Sequence, residues 1–392
     1  MAISWTSIIF MAAYIPLVFP ASWVLQKKGL RIAVSLGAFL LAVGSWIKVF
    51  SAEPNRFQIA FIGQTVVGIS QMFTLGAPAR LAAVWFPHHQ VSTATAIGVF
   101  GNQIGIAIGF VLPPMIVREE TMHDLHQVGT ELGFLHTGTA FAATIIFALI
   151  LLLFEASPPV PPSVAQKLMI IRDNRSTDNS FYVSLKHLIG NLDFDLLLIS
   201  YGLNIGAFYA YSTLLNQLIV EKFPDGVQDA GRVGLTLIVG GIVGSLAWGV
   251  VLDKTQIYKG TTVIIYVLST LGMAAFAYTL HEKMMTFVYI TSAFLGFFMN
   301  GYLTVGYEFG AELTYPESEA TSSGLLNASG ELFGVIAVIV AEIILYSFSS
   351  LITNISLVLM LLFGLLLCLF IDGSKLQRLA ASRQSNVHNL LI

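Results

Sequence analysis

The 392-residue chain is 56% hydrophobic and only 10% charged, with 34 glycines, 28 phenylalanines and a mean hydropathy of +0.79. That composition excludes a soluble globular domain and predicts an all-α polytopic membrane protein, because each bilayer crossing consumes about 20 apolar residues. A net charge of −3 without a basic run gives no sign of a nucleic-acid partner, and the single Cys368 excludes an intrachain disulfide and a cysteine-based metal site, so no metal or cofactor is expected.

Eleven apolar segments of membrane length follow in order. Five lie at 3–25, 30–50, 58–85, 91–116 and 133–156, and six at 195–220, 232–252, 260–280, 284–312, 318–345 and 351–371. Barrel strands would be about half as long and alternating, so the segments are helices. They define an N-terminal half-bundle over 1–156, a polar linker over 157–194, a C-terminal half-bundle over 195–371 and a tail over 372–392. With the Lys27, Lys28 and Arg31 loop in the cytosol, only Lys48, Arg56, Arg118, Lys222, Arg232 and Lys283 of the 19 Lys and Arg face the other side. The positive-inside rule then puts the linker and the C-terminus in the cytosol. No basic stretch precedes the first helix, so a cleaved signal peptide is not expected. Asn174-Arg175-Ser176 in the linker is a glycosylation sequon facing the wrong compartment, and Asn327-Ala328-Ser329 is a chance match inside a helix.

The halves repeat each other. Pro87, Gly101 and Gly105 recur as Pro316, Gly330 and Gly334, each pair 229 residues apart, and Val24-Leu25-Gln26-Lys27 recurs as Val251-Leu252-Asp253-Lys254 at an offset of 227. Parallel six-helix repeats are the layout of the major facilitator architecture, with a substrate site near the midplane. At the same offset the helix at 195–220 has its partner before residue 1, so the expectation is a twelve-helix fold of which this chain carries eleven helices.

Polar groups that hydrocarbon rejects mark the candidate cavity. Glu331 lies mid-helix, where a carboxylate costs about 2.5–3.5 kcal/mol. At the repeat offset it pairs with Asn102, and Asn300 pairs with Gln71. These four either line a central cavity or make interhelical hydrogen bonds. The segment at 195–220 adds Tyr201, Asn204, Tyr209 and Tyr211, and a tyrosine face can hold a desolvated cation. Glu308 and Glu312, near a cytosolic helix end, are candidates for ion pairs with Arg80 or Lys254 that close a gate.

Three stretches are more specific: GNQIGIAIGFVLPP at 101–114, GAFYAYSTLLNQ at 206–217 and TYPESEATSSGLLNAS at 314–329. They resemble the feline leukaemia virus subgroup C receptor-related proteins, solute carrier family 49 within the major facilitator superfamily. The resemblance implies facilitated transport of choline and ethanolamine at the plasma membrane, with haem export or import as an alternative assignment. It also implies a choline ammonium held between a tryptophan of the first helix and a tyrosine of the seventh, beside a glutamine on the fourth and another on the eleventh. Carried over, that tyrosine is Tyr209 and the fourth-helix glutamine is Gln71, whereas Glu331 stands in place of the other glutamine. The tryptophan has no counterpart, because the helix that would carry it is the one expected before residue 1, and Trp5 is not a substitute for it. Haem fits less well: the eight histidines (88, 89, 123, 126, 136, 187, 281, 388) fall in loops, tails or helix ends. A non-transporting membrane receptor or scaffold, or an inactive fragment, is the rival from another class. No HExxH, GxSxG or P-loop pattern suggests an enzyme. The expected partners are the small-molecule substrate and the lipid bilayer, and the expected state is a monomer.

Overall fold

The computed structural model describes residues 3–53, 55–75, 77–86, 91–117, 124–159, 188–314 and 319–373, and all regular structure among them is helical. Pro87, Pro316, His88, His89, His123, the Asn174 sequon, most of the linker and most of the tail lie outside the described residues.

The helices are α1 (Ser4–Lys27), α2 (Leu30–Val49), α3 (Phe57–Leu75), α4 (Ala77–Trp85), α5 (Val91–Ile116), α6 (Leu125–Leu153), α7 (Leu192–Lys222), α8 (Val227–Thr255), α9 (Tyr258–His281), α10 (Met285–Thr314), α11 (Glu319–Ser347) and α12 (Ser350–Phe370). By length and composition, seven helices among the described residues suit a membrane crossing: α2, α6, α8, α9, α10, α11 and α12. The segment expected at 58–85 is described as α3 and α4, on either side of position 76. The one expected from 133 starts at Leu125, because the Asp124 carboxylate accepts the backbone N–H groups of His126 and Gln127 at 2.9 and 3.3 Å. This cap lets a polar first turn wind outside the apolar stretch. Asn191 does the same for α7, accepting from Asp193 and Phe194. A left-handed Gly29 (φ 86°) makes the turn between α1 and α2, and since nothing lies near its missing Cβ the demand is conformational.

The chain forms two compact units, 1–176 and 177–392. In the first, α3 packs on α1 and α2, α2 on α6, and α4 on α5. In the second, α10 packs on α8 and α9, α9 on α12, and α7 on α11 and α12. Shifted by the repeat offset, α1–α3, α2–α3 and α2–α6 become α8–α10, α9–α10 and α9–α12, so each unit follows the same packing plan.

Lipid tails are as apolar as leucine, so helices in a bilayer associate through close backbone approach and hydrogen bonds. Gly240 and Gly244 of α8 lie against the backbone of Ala293 and Phe297 on α10, and Gly296 of α10 lies against Leu237 of α8. Gly202 and Gly206 of α7 receive Phe333 of α11, while Ser329 Oγ donates to the Leu198 carbonyl at 2.7 Å. The outer faces carry bare apolar side chains: Leu152 is 78% exposed and Phe370 75%. Such surfaces suit hydrocarbon and would be costly in water.

Candidate functional site

The second unit assembles a polar cluster at the crossing of α7 and α11. Gly202, Ile205 and Gly206 form the α7 face that meets α11, and Tyr209 continues it one turn further on. Its hydroxyl donates to Glu331 Oε1 at 3.5 Å. Glu331 is only 6% exposed, and its Oε2 is buried with no hydrogen-bond partner among the described residues. One turn before Glu331 on α11, the Asn327 side-chain oxygen Oδ1 accepts from the Tyr307 hydroxyl of α10. The Tyr307 ring lies 5.8 Å from that of Tyr201, which in turn stacks on Tyr302 at 5.8 Å. A carboxylate is thus set among tyrosine rings and hydroxyls in a site of low dielectric. The carboxylate attracts positive charge directly, and an aromatic face attracts it through the ring quadrupole.

The other sequence candidates occupy different places. Asn204 is fully buried, and neither its amide oxygen nor its nitrogen has a partner among the described residues. It shares an α7 face with Ser200 and Tyr211, which bond Tyr302 and Ser292 of α10, and so points away from the Tyr209 face. Asn300 is buried where α10 meets Gly241 of α8. Its carbonyl accepts from Ser245 Oγ at 3.1 Å, and its side-chain nitrogen has no partner among the described residues. In the first unit, Gln71 is buried and its Nε2 donates to the Phe10 carbonyl at 2.8 Å, tying α3 to α1. Asn102 is exposed on α5.

At the proposed gate, Glu312 is buried and accepts from the Tyr258 hydroxyl of α9 at 3.3 Å, beneath the stacked Tyr258 and Phe309 rings. Glu308 and Lys254 are exposed, and the Arg80 side chain lies outside the described residues. His136, expected near a helix end, lies three turns into α6 because that helix begins at Leu125. The structure therefore brings Tyr209 and Glu331 together and sets Asn204 and Asn300 on other faces. It adds Tyr307, and it gives Asn327, whose sequon is a chance match, a place in the same cluster. The available signal was the four-residue spacing of Asn327 and Glu331, which puts both on one helix face.

Residues 1–337 match the Major Facilitator Superfamily. The chain is 46% identical to the choline/ethanolamine transporter flvcr2a of Danio rerio, over 98% of this chain and 81% of that one. It is 41% identical to the choline/ethanolamine transporter FLVCR2 of Homo sapiens, over 98% of this chain and 72% of that one. Among solved structures, the E. coli fucose:proton symporter FucP superposes with a TM-score of 0.65 at 14% identity, covering 95% of this chain and 91% of that one. A D-xylose-proton symporter gives 0.66 at 13%, covering 93% and 85%. Fold, packing plan and sequence agree: the chain belongs to the major facilitator superfamily and, within it, to the feline leukaemia virus subgroup C receptor-related family.

Proposed function

We propose that this chain is a multi-pass transporter that moves choline and ethanolamine across the plasma membrane by alternating access. The observation that carries the reading is the Tyr209–Glu331 pair, a buried carboxylate with one unpartnered oxygen beside an aromatic hydroxyl. A small ammonium ion satisfies both groups at once, and relatives 46% and 41% identical are named choline/ethanolamine transporters. Transport rather than catalysis follows, with the chain acting as a monomer and its C-terminus in the cytosol. Gln71, Asn102, Asn204 and Asn300 are assigned to the substrate route, and Glu308, Glu312 and Arg80 to a cytosolic gate.

The test is uptake of labelled choline by the 392-residue chain in proteoliposomes. Uptake saturates and is competed by ethanolamine. Tyr209→Ala weakens it by roughly thirty-fold, since a desolvated cation–aromatic contact is worth about 2 kcal/mol. Unchanged uptake by Y209A, or competition by haem and not by ethanolamine, refutes the assignment.

A further inference from the structure

We propose that Glu331 exchanges a proton for the transported cation, so that an amine moving inward is coupled to a proton moving outward. The proposal rests on the transport reading above and assigns that site its coupling ion.

It begins with charge compensation around one carboxyl group. Glu331 is 6% exposed and uses one oxygen, which accepts from Tyr209. Its other oxygen is buried and unpartnered among the described residues. The titratable groups around it are tyrosine hydroxyls: Tyr209 of α7 bonds it directly, Tyr201 of α7 lies against the neighbouring Gly330, and one turn back on α11 Asn327 accepts from Tyr307 of α10. The remaining charged residues of α7 sit at its ends, namely Asp193, Asp195, Glu221 and Lys222. Those of α10 are acidic (Glu308 and Glu312), as are those of α11 itself (Glu319 and Glu342), and α12 carries none. Within the second unit, therefore, no basic side chain of these helices reaches Glu331.

An isolated carboxylate in low dielectric has to be neutralised by a bound proton or by a bound cation. The free Oε2 is the atom at which either neutralises it. When an ammonium ion arrives, the O–H bond breaks, the electron pair stays on Oε2, and the proton leaves to water as the cation takes its place. When the ammonium leaves on the other side, Oε2 takes a proton there. One positive charge crosses in each direction, so the cycle is electroneutral. A hydrogen-bonding amide at this position would hold the cation without exchanging a proton.

Choline is the right probe because a quaternary ammonium carries no N–H proton, so any proton that moves is exchanged by the protein. The full chain is reconstituted in proteoliposomes with a pH-indicator dye in the lumen, the membrane potential is clamped at zero, and labelled choline is added outside. The expected result is saturable uptake with alkalinisation of the lumen. The external KM rises as external pH falls, approaching tenfold per pH unit for one exchanged proton. Glu331→Gln weakens uptake, and the choline that still enters does so without alkalinisation and with a KM independent of pH, whereas Glu331→Asp, which keeps a carboxyl group, keeps the alkalinisation. Uptake by the unsubstituted chain without alkalinisation, or alkalinisation that persists in E331Q, overturns the exchange and leaves the transport reading standing. Absence of saturable uptake by the unsubstituted chain overturns the transport reading and the exchange with it.

Discussion

The hydroxyl of Tyr307 and the side-chain amide of Asn327 join α10 to α11 one turn from Glu331. Tyr307→Phe keeps the ring packed on Tyr201 and removes only the donor, leaving the Asn327 oxygen unsatisfied at a cost of about 1 kcal/mol. The expected outcome is a lowered Tm in detergent, with the stabilisation produced by choline retained. Loss of the choline effect at unchanged Tm would instead make Tyr307 a direct ligand. Tyr209 and Glu331 were legible in the sequence because a carboxylate and a tyrosine-rich turn stand out in apolar runs. Tyr307 and Asn327 were not, since their partnership depends on how α10 lies against α11. The polar role of Gln71 was legible, but its particular partner, the Phe10 carbonyl, depends equally on how two helices cross.

Glycines set the closest helix approaches of the second unit, and an unpacked glycine of the first unit gives the contrast. A Cβ on Gly206 would meet the carbonyl carbon and oxygen of Phe333 at 2.7 and 2.8 Å, backbone atoms that cannot rotate away. Gly206→Ala is therefore expected to destabilise by about 1–3 kcal/mol through overpacking at the α7–α11 crossing. Gly101 on α5, by contrast, has nothing within 4 Å of its missing Cβ. Gly101→Ala is expected to leave Tm unchanged or raise it, because alanine favours a helix over glycine by about 0.8–1 kcal/mol. Thermal unfolding of the two variants side by side checks both signs. Hydropathy located every apolar segment but set the starts of α6, α7 and α8 too late, at 133, 195 and 232 against Leu125, Leu192 and Val227. The reason is physical: apolar windows report where hydrocarbon begins, whereas caps such as Asp124 and Asn191 decide where the helix begins.

At the scale of the whole molecule, the duplication was legible from sparse sequence matches because they fall in the same order at nearly one offset, and the two units share a packing plan at that offset. The packing between helices was not, because an apolar stripe fits many neighbours equally well. Sidedness offers the sharpest test at this scale. In the first unit, Arg31 at the start of α2 donates to the Leu151 carbonyl in the last turn of α6 at 3.1 Å, so the α1–α2 turn and the end of α6 share one side. A guanidinium at a helix C-terminus is also favoured by the helix dipole. In the second unit, the Asp372 N–H donates to Asp193 at 2.8 Å, placing the start of α7 and the end of α12 together, while Glu221 accepts from Ser350 at the opposite end of the same helices. Lys27, Lys28 and Arg31 at the α1–α2 turn are echoed by Lys254 and Lys259 at the α8–α9 turn, and by the positive-inside rule such clusters carry the orientation proposed above, with these turns in the cytosol. An epitope placed after Ile392 is therefore expected to be stained only in permeabilised cells, and one inserted at Asn55, beside the Glu53–Arg56 pair between α2 and α3, to be stained in intact cells. Staining in the reverse pattern would invert the protein in the membrane and move the proposed Glu308–Glu312 gate to the outer face.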